Sequence, residues 1–144
     1  MAEFSDYMEN KIIEVMRATS FTAVAAYVAL FISADTQEAT MAAVDANLEA
    51  GTLTDEVATA GGTDYARQLA GLSAGVAGAS SNAGDITFTV AGADWGIVTH
   101  VALMDGATRG AGNVFMWSRL DATKTVSNGD TFKINAADLD VTIQ

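Results

Sequence analysis

The chain has no cysteine and no proline, and it carries only 7 lysines and arginines against 18 aspartates and glutamates. Without cysteine there is no disulfide, no thiolate nucleophile and no thiolate metal ligand. The lack of proline is equally informative, because average usage would place about seven in a chain of this length. Turns therefore fall to glycine, asparagine, aspartate and serine. The formal net charge of −11 argues against a nucleic-acid partner, which is held by clustered lysine and arginine. Here the basic residues are scattered from Lys11 to Lys133. A single histidine, His100, leaves no second imidazole for zinc. No cofactor and no metal are expected.

Long hydrophobic runs are also missing. The apolar segment from Phe21 to Ala34 is well short of the roughly 20 residues of a membrane span. The residues before it mix Glu3, Asp6, Glu9 and Glu14 with Lys11 and Arg17, unlike the basic leader of a secretory signal. Neither a signal peptide nor a membrane partner is expected.

What remains is a globular composition, 50% hydrophobic over 144 residues. A domain of this size buries roughly 70% of its unfolded surface and folds without staples. Residues 5 to 18 predict a helix. Ser5 is a suitable N-cap, Asp6 and Glu9 suit the first turn, and Met8, Ile12, Val15 and Met16 form one stripe. So short a helix must pack on something, either the chain's own sheet or a neighbouring subunit. Residues 24 to 32 read as a strand covered on both faces. Residues 36 to 50 read as a second short helix closed by Gly51, or as a surface loop.

Short strands follow. They are expected over 53–59, 65–70, 86–90, 97–104, 114–120, 131–134 and 139–143, with turns at Gly61-Gly62 and Asn128-Gly129-Asp130. The expected fold is mainly β: a single β-sandwich or jelly-roll-like domain over 21–144, preceded by an N-terminal helix and arm over 1–20. Asp138 and Asp140 mark a solvated edge on the last strand.

One catalytic pattern is present. Gly71-Leu72-Ser73-Ala74-Gly75 matches G-x-S-x-G, and Asp94 and His100 follow in hydrolase order. The nucleophile elbow needs a helix after its serine, and the residues after Ser73 are rich in glycine. The pattern is therefore read as coincidence, with His100 a packed strand residue. Trp95 and Trp117 suit core packing, a subunit interface or a glycan-stacking platform. The candidate interface residues are Tyr7, Met8, Ile12 and Met16 on the helix, with Trp95 and Trp117 as anchors.

Several blocks occur in a particular order: Asn10-Lys11-Ile12-Ile13, Thr19-Ser20-Phe21-Thr22, Tyr27-Val28-Ala29-Leu30-Phe31 and Glu56-Val57. Gly61-Gly62, Tyr65-Ala66-Arg67-Gln68, Ala93-Asp94-Trp95-Gly96, Val98-Thr99-His100 and Ser127-Asn128-Gly129-Asp130-Thr131-Phe132 complete the series. Together they resemble a family of small phage virion proteins, Gp80-like and often labelled tail-fibre proteins. The chain departs from that pattern at residues 35 to 50, where an alanine-rich insert replaces a short loop. The resemblance implies a non-enzymatic structural protein of a tailed-phage virion, assembled in the host cytoplasm, and it brings no catalytic residues. Small size and a compact β domain favour capsid decoration, a cement protein in homotrimeric form bound to the major capsid protein or other virion subunits. The alternative is a tail-associated or tail-fibre protein that contacts host surface glycan.

Overall fold

A computed structural model describes residues 3–59 and 61–143. Met1, Ala2 and Gln144, the outermost residues of the two expected units, lie outside the described residues, as does Ala60. The centre of the molecule is a five-stranded antiparallel sheet in the order β1-β7-β6-β2-β3. Its strands are β1 (Glu3–Phe4), β2 (Tyr27–Ser33), β3 (Gln68–Leu69), β6 (Gly96–Met104) and β7 (Val114–Val126). Two short ribbons accompany it. One pairs β4 (Ala79–Ser81) with β9 (Asp140–Thr142), and the other pairs β5 (Ile86–Thr87) with β8 (Lys133–Ile134).

The continuous apolar run of β2 is explained by its two covered faces. Side chains alternate across a strand. Ala29 and Phe31 pack with Val44 and Leu48 of α2 (Glu38–Glu49), together with Ala102, Met104, Val114 and Trp117. Val28 and Leu30 point to the other side, into a core with Val57, Tyr65, Phe88, Trp95 and Phe132. That second core is aromatic. Tyr65 stacks on Phe88 with centroids 6.1 Å apart, and Trp95 and Phe132 meet Phe88 edge-on. Ile86 and Ile134 of one ribbon and Val141 of the other close it.

The fold is mainly β, as expected, but its layers differ from the expected sandwich. One sheet carries a helix on one face, and on the other face two ribbons and ordered loops stand where a second full sheet was expected. The segments 53–59 and 65–70 contribute only an isolated bridge at Glu56 and the two residues of β3. Gly61 and Gly62 both have positive φ and turn the chain back. Buried Glu56, Thr63, Tyr65 and Arg67 then hold the segment by side-chain hydrogen bonds instead of a ladder. The alternating pattern at 86–90 yields a strand only at Ile86–Thr87, because Phe88 is buried while Val90 is exposed. Conversely, β7 runs past Leu120 to Val126, as Lys124, Thr125 and Val126 pair with Val98, Ile97 and Gly96.

Candidate interaction surface

The N-terminal segment is fastened to the sheet by few residues. Glu3 and Phe4 pair with Trp117 and Met116 at the sheet edge. Ser5 is fully buried. Its hydroxyl donates to the carbonyl of Val114 and accepts from the backbone N–H of Met8 at 3.4 Å, so one side chain both caps α1 (Asp6–Met16) and ties it down. Tyr7 stacks on Phe115 at 6.4 Å, and Phe21 meets the same ring edge-on at 6.4 Å. Phe115 thus anchors both the helix and the segment that returns from it. The Lys11 ammonium lies 5.5 Å from the Tyr7 ring centroid.

Beyond these anchors the helix is open. No residue of α1 is buried. Tyr7, Met8 and Ile12 are half-buried, while Ile13 and Val15 are about half exposed and Met16 is 75% exposed. The apolar stripe therefore does not cover the chain's own sheet. A shallow groove lined by Met8, Ile12, Val15, Met16 and Phe21 runs along it. A second groove, sharing Phe21, continues over Tyr7, Phe115 and Val24 and is lined equally by Lys11, Ser20, Thr22 and Asp105. A third, sharing Val24, continues past Leu69 to Leu72. Exposed apolar side chains in one connected band are the usual mark of an interaction surface.

Four of the six candidate interface residues, Tyr7, Met8, Ile12 and Met16, lie on this band. The two tryptophans do not, and both pack within the chain's own cores. Trp95 is buried in the aromatic core and donates its indole N–H to the Thr63 carbonyl at 2.7 Å. Trp117 is buried under α2 and donates to Glu49 Oε2 at 3.1 Å. A glycan platform needs an open indole face, and neither ring offers one. Phe21, Val24, Leu69 and Leu72 also belong to the band and are not among the six candidates. Phe21 is an apolar residue outside the expected helix and strand, whereas Val24 falls in the expected strand over 24–32, which begins only at Tyr27 and leaves Val24 half exposed.

The residues of the hydrolase pattern are each engaged elsewhere. Ser73 exchanges hydrogen bonds with Ser80 and Ser81 in an exposed turn. Asp94 accepts from the Asn128 backbone N–H at 2.8 Å. His100 is fully buried beneath α2, with Nε2 2.8 Å from Asp45 Oδ1 and Nδ1 2.7 Å from the Thr99 hydroxyl. Arg119 reaches the same Asp45 carboxylate and forks onto Glu38 at 2.7 and 2.8 Å. Burial lowers the imidazole pKa, against the opposing pull of Asp45. Burial also pushes Asp45 up, but Arg119 and His100 outweigh it and hold the carboxyl below its ordinary value. This cluster clamps α2 to β6 and β7. Among the described residues no group of three or more histidine, aspartate or glutamate side chains is placed to hold a metal ion, and no helix is long and apolar enough to cross a membrane.

No match was found among curated proteins. Residues 3–142 match the family described as podophage GP4 fiber I protein gp80. With only two residues at either end outside that match, the chain belongs to this Gp80 phage fibre protein family.

Proposed function

We propose that the chain is a non-enzymatic structural subunit of a tailed-phage particle in a tail-associated or fibre role. In this reading it joins neighbouring subunits through the apolar band on α1 and the segment up to Leu72. One observation carries the role: the family match spans almost the entire chain, so the fibre description applies to the whole fold. It favours the tail over the head decoration that small size alone suggests. The exposed band supports the adhesive mechanism. Covering side chains such as Ile13, Val15 and Met16 contributes about 1–2 kcal/mol each before association costs. Many copies in a particle then add stability by multivalency. The partners are further copies of the chain and adjoining virion subunits. A nucleic-acid role draws little support from the cations, because four of the seven, Lys11, Arg67, Arg119 and Lys133, are paired with carboxylates.

Gold-labelled antibody against the chain, applied to purified particles and viewed by electron microscopy, tests the role. Label at the tail is expected. Label over the head would overturn the fibre reading.

A further inference from the structure

The outward face of α1 carries more than apolar side chains. Glu9, Ile13 and Arg17 follow one another at intervals of four residues, so they line one face, with Met16 beside them. Glu9 and Arg17 are exposed, Ile13 is half exposed and Met16 is 75% exposed. Lys11 and Glu14 already pair with each other at 2.6 Å. Among the described residues Glu9 and Arg17 form no ion pair within the chain. Opposite charges therefore stand at equal distances, about 6 Å along the axis, on either side of an exposed isoleucine.

That pattern is self-complementary under one operation. A two-fold axis through Ile13 lays a second α1 antiparallel on the first. It brings Ile13 onto its own copy and sets each Glu9 against the other subunit's Arg17. A parallel arrangement, as in a three-fold bundle, would instead oppose Glu9 to Glu9 and Arg17 to Arg17. We infer that the occupant of the α1 face is a second copy of this chain, docked antiparallel about Ile13 with reciprocal Glu9–Arg17 ion pairs. The inference rests on the assembly role proposed above and names its partner, with Ile13 standing next to the band's Met16 and outside the three grooves. A two-fold contact is isologous and closes a pair, unlike the homotrimer expected from size and family resemblance. An 11-residue helix is only about 16 Å long, so the contact is weak between free subunits and is reinforced when many copies are held together in a particle.

The chain's lack of cysteine makes the test clean. Single-cysteine variants Ile13→Cys, Glu9→Cys and Arg17→Cys are made in the full chain and oxidised at millimolar concentration. All three positions are exposed, and unchanged thermal unfolding confirms that each variant is folded. Ile13→Cys is expected to cross-link to itself. Glu9→Cys is expected to stay monomeric alone and to cross-link when mixed with Arg17→Cys. In the Ile13→Cys background, Glu9→Arg is expected to slow cross-linking about tenfold, because two attractions become two repulsions. Adding Arg17→Glu restores it. Self-cross-linking of Glu9→Cys, failure of Ile13→Cys to cross-link, or no recovery in the charge-swapped pair overturns the inference. Any of these with gold label still at the tail sinks the pairing and leaves the fibre reading standing.

Discussion

Glu56 and Arg67 form a salt bridge at 2.7 Å with both side chains fully buried. Arg67 also donates to the carbonyls of Gly106 and Ala111, and Glu56 accepts from Tyr65 and from the Gly110 backbone N–H. The pair thus pins the glycine-rich 105–112 connection against the 56–67 segment. Such a pair is costly to break from one side, because the remaining charge stays buried without a partner. Arg67→Met is expected to destabilise the fold by about 3–5 kcal/mol in urea unfolding. Glu56→Gln combined with Arg67→Met is expected to cost clearly less than the sum of the two single changes. Strict additivity would show that the two side chains are not coupled.

The pH response of the fold is assigned to His100. Its folded-state pKa lies below the ordinary 6.5 because of burial, with Asp45 opposing and Arg119 adding to the effect. The unfolded chain therefore takes up a proton before the folded one does. Stability is fully present above about pH 6.5 and declines as pH falls toward the folded value. The carboxyl of Asp45 is held low by Arg119 and His100 against its own burial, so its contribution is lost only in a more acidic window. Glu38 and Asp55 are the other charges near this cluster. Urea unfolding at pH 7.5 and 5.5 is expected to show the decline in the wild type and to show it largely removed in His100→Gln. A slope that persists in the variant would place the response elsewhere.

Helix α1 ends in a full Schellman motif. Thr19 N–H donates to the Glu14 carbonyl at 2.9 Å and Ala18 N–H to the Val15 carbonyl at 3.0 Å. The residue at the left-handed position is Ala18, with φ 63°, where glycine is the usual occupant. Ala18→Gly relieves the cost of a Cβ in that conformation and gives back part of it through a looser unfolded chain. A net gain of about 0.5–1 kcal/mol is expected in urea unfolding, with stronger amide-exchange protection over the last turn. A loss of stability would contradict the assignment.

What was legible in the sequence tracks what local chemistry decides. Ser5 announced α1 because its hydroxyl caps the helix within the segment itself. Gly51 closed α2 because its φ of +70° suits glycine. The run of β2 spoke for a strand covered on both faces, although the helix that covers it is α2 and not α1. The segments 53–59 and 65–70 misled because their β-forming residues are held by Glu56, Tyr65 and Arg67, partners that only the folded chain brings together. The destination of α1's stripe was equally beyond reach. Periodicity shows that Met8, Ile12, Val15 and Met16 share a face, but not that Phe115 anchors the helix through Tyr7 and leaves Val15 and Met16 exposed. Trp95 and Trp117 carried the ambiguity of all large aromatics, and the folded chain buries them among Phe88, Tyr65, Leu48 and their neighbours.

The assembly role rests on the open face of α1, and particle occupancy tests it most directly. Ile13→Asp with Met16→Asp changes two exposed side chains and is expected to leave thermal unfolding of the free chain within about 2 °C of wild type. Phage produced with this variant as the sole copy are purified and the chain quantified by mass spectrometry against the other virion proteins. Loss of most of the chain from the particles is the predicted result. Wild-type occupancy with a normally folded variant would contradict the role of this surface.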